Sequence, residues 1–193
     1  MKKMLLGLML SATLLGGTAV TANAATTGTP EDTQGTVSFT GGDLTLDATT
    51  AGLDFGTNPI SNKTETYANT NETAAVTVTD LRGTGDGWNL SVKQGAQFAI
   101  KDKSAQNLEG AVLTLNGAMT SDSENQPTLN SSVALTPGTS SALMGAESGY
   151  GLGTSKVVYA TSNLEVPNTA TKIADTPYET TLTWDLGATP ANN

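Results

Sequence analysis

Two stretches of the chain alternate apolar and polar residues with period two: Thr-Ala-Ala-Val-Thr-Val-Thr-Asp over residues 73–80 and Trp-Asn-Leu-Ser-Val over residues 88–92. β-Branched residues coincide with the alternation in both, so both predict strands. The glycine-rich connection Leu81-Arg-Gly-Thr-Gly-Asp-Gly87 predicts an antiparallel hairpin between them. Residues 36–40 and 43–47 carry the same alternation around Gly41-Gly42, as two short strands or one bent one, and further strands are expected over 96–100, 111–115, 156–161 and 178–186. Residues 117–138 are polar and punctuated by proline, which predicts loops with at most one short strand. Only residues 140–147 suggest helix, two turns weakened by Gly145. The pattern as a whole predicts an all-β fold, a single antiparallel β-sandwich of Greek-key type with glycine-rich loops and little helix.

The two tryptophans of the sequence, Trp88 and Trp184, each precede a leucine by two positions. In a strand over 178–186, Tyr178, Thr180, Leu182, Trp184 and Leu186 share one side, and Glu179, Thr181, Thr183 and Asp185 the other. Trp88, Leu90 and Val92 likewise lie opposite Asn89, Ser91 and Lys93. One reading of Trp-x-Leu is core packing, since burying a tryptophan removes roughly 150–250 Å² from water. The other is a sugar-stacking platform, with an exposed indole face and Asn89, Asp86 or Asp185 bonding hydroxyls. A mixed arrangement would place each indole at a sheet end, one edge buried and one face at a groove.

Residues 1–24 have the form of a secretory signal peptide: Met1-Lys-Lys3, an apolar run from Leu5 to Val20, and the small-x-small site Ala22-Asn23-Ala24. Residues 25–35 then read as a flexible lead-in, and 36–193 as one domain. The apolar run is too short to span a bilayer and no second one follows, so no membrane insertion is expected after cleavage. Loss of Lys2 and Lys3 takes the formal charge from −9 to −11. Nucleic acid is thereby disfavoured as a partner, because phosphate binding needs cationic counter-charge.

Cysteine and histidine are both absent, which removes disulfides, a Cys nucleophile, a His base and the usual zinc ligands. Gly83-Thr-Gly85-Asp-Gly87 is no phosphate loop, because it leads into a strand rather than a helix and contains an acid. Its expected role is a wide turn with Arg82 pairing Asp80 or Asp86, and Arg82 and Asp86 are candidates for the rim of a binding groove. Asp43, Asp47 and Asp54 do not make a glycosidase pair on pattern alone, and no Asp-x-Asp-x-Asp-Gly calcium loop is present. No catalytic residue, metal or cofactor is expected.

Leu53-Asp-Phe-Gly56, residues 80–92 and Tyr178-Glu-Thr-Thr-Leu-Thr-Trp-Asp-Leu186, in that order and spacing, resemble the WxL-domain proteins of low-GC Gram-positive bacteria. The resemblance runs from about Val37 to Pro190. It implies a secreted protein held noncovalently at the cell surface by binding peptidoglycan. The motif residues Trp88, Asn89, Leu90, Trp184, Asp185 and Leu186 are then either its wall-binding set or its core. It also implies a surface assembly, with other WxL proteins, a membrane-anchored surface partner and host extracellular matrix as partners. Consistent with noncovalent attachment, no Leu-Pro-x-Thr-Gly sorting signal stands near residue 193, so covalent sortase attachment is not expected.

Overall fold

The computed structural model describes residues 31–190. The expected signal peptide and the first part of the lead-in lie outside the described residues. Among the described residues fifteen strands follow one another along the chain. They are β1 (Leu44–Asp47), β2 (Glu65–Ala68), β3 (Ala75–Asp80), β4 (Trp88–Gln94), β5 (Ala99–Ile100), β6 (Lys103–Asn107), β7 (Val112–Asn116) and β8 (Ala118–Ser121). Then come β9 (Thr128–Leu129), β10 (Ser132–Ala134), β11 (Ser140–Ala146), β12 (Gly153–Val158), β13 (Asn163–Val166), β14 (Tyr178–Glu179) and β15 (Leu182–Gly187). Among the described residues there is no helix.

Every strand pairing is antiparallel. The sheets run β1-β3-β12-β8, β10-β7-β13-β2, β15-β4-β11-β9 and β14-β5-β6. The first three turn one face each toward a common core, to which they contribute Val76, Val78 and Val157, then Leu113, Leu115 and Leu164, then Trp88, Leu90, Val92 and Leu143. Alternation decides which residues face it: β4 is buried at Trp88, Leu90, Val92 and Gln94 and open at the positions between. Burying each valine or leucine contributes roughly 1.5–3 kcal/mol, and with no cysteine in the chain this packing and the ladders hold the fold.

Five local expectations are corrected. β3 and β4 form no hairpin but belong to different sheets. Gly83, Gly85 and Gly87, all with positive φ, swing the connection out of one sheet and into the next. Residues 140–147 are strand rather than helix, because β11 is hydrogen-bonded to β4 on one side and β9 on the other, and long-range pairing overrides the weak helical preference of a two-turn segment. Residues 117–138 hold three short strands, β8, β9 and β10. The expected strand over 36–40 is absent: these residues pair with no strand among the described residues, and Phe39 is 91% exposed. The stretch 178–186 is divided at Thr180-Thr181, where the chain leaves β5 and begins to pair with β4.

Candidate functional site

The two Trp-x-Leu segments are neighbours. β15 lies antiparallel against β4, with Val92 opposite Trp184, Leu90 opposite Leu186 and Asn89 opposite Gly187. Trp88, Leu90 and Val92 therefore share an inward side with Leu182, Trp184 and Leu186. The two indoles are nevertheless unlike. Trp88 is fully enclosed, and its Nε1–H donates to the Gly151 carbonyl at 3.0 Å. Gly151 has φ +69°, and a Cβ there would stand 2.7 Å from the indole nitrogen, so glycine is what allows the indole to sit against that loop. Trp184 is half-buried at the sheet edge and leans on Tyr159, ring centroids 5.6 Å apart and tilted by 40°.

Arg82 ties the ends of both motif strands together. Its Nε and Nη2 grip the Asp80 carboxylate at 3.0 and 2.8 Å, while Nη2 also donates to the Gly87 carbonyl and Nη1 to that of Ala188. Gly87 precedes β4 and Ala188 follows β15, so one guanidinium clamps the start of one strand to the end of the other. The Asp80 side chain is 1% exposed. Hydrogen bonding from Arg82 holds its carboxyl below the usual carboxylate range, against the opposing effect of burial. Asp86 stays exposed on the loop and makes no ion pair among the described residues, although its charge adds to the Asp80 hydrogen bonds that hold the proton on Arg82. Asn89 donates to the Thr189 carbonyl at 2.6 Å, a position open to it because residue 187, opposite, is a glycine whose Cβ would meet the amide. The Leu53-Asp-Phe-Gly56 segment contributes to packing, with Phe55 edge-on to Phe98 at 6.2 Å.

The other side of the β4–β15 pair is polar. Ser91 stands opposite Asp185 and Lys93 opposite Thr183, and β11 extends this side with Ser140 and Ala142, both exposed. Beyond Gly95 and Thr181 the face runs into an open cleft of about 640 Å³, whose walls include Gln97, Lys101, Asp102 and Glu179. Gln94, at the end of β4, is buried and donates to the Ala96 carbonyl of the cleft wall at 3.1 Å. Sequence reasoning missed this cleft: Glu179, Thr180 and Thr181 belong to the second Trp-x-Leu segment, but the residues of 95–104 that face them belong to no motif. The one local anomaly is Asp102, which adopts φ +60° without being glycine. Among the described residues no group of three or more carboxylates is placed to hold a metal. The side chains present can donate and accept hydrogen bonds and offer both charges.

A family model described as WxL domain, surface cell wall-binding, matches residues 21–190. Comparison with curated proteins and with solved structures finds no match.

Proposed function

The chain belongs to the WxL family of surface, cell wall-binding domains, and from that premise we propose that it is held noncovalently on the wall by peptidoglycan, without catalysing any reaction. One observation carries the choice of surface: the paired motif strands turn Trp88, Leu90 and Leu186 inward and leave Ser91, Lys93, Thr183 and Asp185 outward, in line with the cleft at Gly95. In this reading the tryptophans and leucines of the motifs are architecture. Asp185 and its neighbours bond glycan hydroxyls and stem-peptide groups, while Lys101, Asp102 and Glu179 in the cleft add charge. Arg82 acts as a positioning residue that fixes the two strands, and Asp86 marks the rim of the face at its opposite end.

The fully enclosed indole of Trp88 has no face to offer a pyranose ring, and Trp184 lies on the inward side of the strand pair, so neither tryptophan stacks on sugar at the outward face. Binding then rests on many weak hydrogen bonds along a repeating polymer, and retention comes from repeated contacts rather than from one tight pocket. Co-sedimentation of the exported protein with sacculi stripped of protein and teichoic acid tests this. The reading expects the protein in the pellet. A protein that stays in the supernatant overturns it, and release of soluble muropeptides would overturn the non-enzymatic part.

A further inference from the structure

Among the outermost strands of the four sheets, β15 is the longest. It has six residues, against five in β6, four in β1, β2 and β8, three in β10 and two in β9 and β14. Natural sheets keep such edges short, charged or interrupted by proline, because an open row of amides recruits other strands. β6 carries Lys103, but β15 carries no charge on its inward side.

The phase of its hydrogen bonds is fixed by Gly95, whose N–H donates to the Thr181 carbonyl at 2.8 Å. Odd-numbered residues of β15 therefore bond to β4, and the N–H and C=O groups of Leu182, Trp184 and Leu186 point to the open side. Among the described residues no strand pairs with β15 there. The side chains of Leu182, Trp184 and Leu186 are themselves only half-covered.

A second observation supplies the occupant. Thr36-Val-Ser-Phe-Thr40 has the composition and alternation of a strand, yet among the described residues it pairs with no strand and leaves Val37 79% and Phe39 91% exposed. It is uncharged and carries two apolar residues two positions apart, as Trp184 and Leu186 are.

We propose that residues 36–40 of one copy add as a strand to the open edge of β15 in a second copy, laying Val37 and Phe39 against the half-covered Trp184 and Leu186. Strand addition of this kind takes its strength from main-chain hydrogen bonds and its register from alternate side chains. Donor and acceptor are different surfaces, so the contact is heterologous and extends into chains unless the copies close on one another. Neither partner of the contact is cationic, and the chain carries −9 overall, so salt strengthens the association by screening repulsion between copies. The proposal stands apart from peptidoglycan binding.

The test is sedimentation velocity of the exported protein over a concentration series at low and high salt, with hydrogen exchange read on residues 182–187. The expected result is a sedimentation coefficient that rises with concentration and with salt, while exchange at Leu182, Trp184 and Leu186 slows in parallel. Phe39→Lys, at a site too exposed to disturb folding, should lose both effects and still co-sediment with sacculi if the wild-type protein does. The proposal is overturned by a wild-type protein that stays monomeric, by association that survives F39K, or by association that leaves the β15 amides unprotected. A monomer whose β15 amides are protected would mean that the edge is covered within one copy, and that outcome also overturns it.

Discussion

The indole of Trp88 donates its hydrogen bond to the Gly151 carbonyl at 3.0 Å, joining the first motif strand to the loop that leads into β12. The same glycine leaves the space the ring occupies. Trp88→Ala should therefore cost about 3–5 kcal/mol, the range for emptying a large aromatic from a core. Gly151→Ala should cost roughly 1–3 kcal/mol from its left-handed backbone alone, and more from the crowded indole. Urea unfolding curves with a lowered midpoint and an unchanged slope would show both.

The inequality of the two tryptophans has an optical consequence. Iodide should quench the fluorescence of Trp184, which is half-buried, and leave that of Trp88 untouched. Trp184→Phe should remove the quenchable part, whereas equal quenching of both rings would contradict the enclosure of Trp88.

Asp80 links stability to pH. Its folded pKa lies below the value in the unfolded chain, because Arg82 bonds the ionised form. An acid with a depressed folded pKa stabilises the fold fully above the unfolded value of about 3.9, and the contribution is lost as pH falls through the lower folded value. Unfolding measured over a pH series should show this loss below about pH 4, and Asp80→Asn should flatten it. Arg82→Ala, which strands a buried carboxylate, should cost about 3 kcal/mol. Arg82→Lys should recover only part of that, since an ammonium cannot span Asp80, Gly87 and Ala188 together.

Tyr159 shows the opposite sign. Burial raises its phenol above the ordinary value, so the neutral form stabilises the fold below the unfolded pKa of about 10 and that stability is lost as pH rises beyond it. Its hydroxyl is buried without a hydrogen-bond partner among the described residues. Tyr159→Phe should thus raise stability at neutral pH by on the order of 1 kcal/mol and remove its share of the alkaline transition. A clear loss of stability in the thermal or urea midpoint would contradict the unpartnered hydroxyl.

What could be read from sequence follows the range of the forces involved. The inward and outward sides of β4 and β15 were legible because alternation is a local signal, and Arg82 with Asp80 was legible because the partners stand two residues apart. The adjacency of the two motif strands was not: Val92 and Trp184 are joined by a ladder that no local pattern records. The same limit explains β11, whose serines, alanines and glycine have little preference of their own and become strand between β4 and β9. Residues 36–40 fail in the other direction, since their pattern is that of a strand and no described strand lies beside them. The cleft beyond Gly95 assembles residues around 95–104 and 179–181, two segments with no shared motif.

The central claim is that the motif strands are architecture and their outward face, with the cleft, meets the wall. Backbone amide shifts of the exported protein, followed while solubilised muropeptides are added, test it most directly. The account predicts shifts concentrated at Ser91, Lys93, Thr183 and Asp185 and through the cleft residues 95–104 and 179–181, with those of Trp88 and Leu90 unmoved. Saturable binding whose shifts fall elsewhere, or an absence of shifts at all, would contradict it.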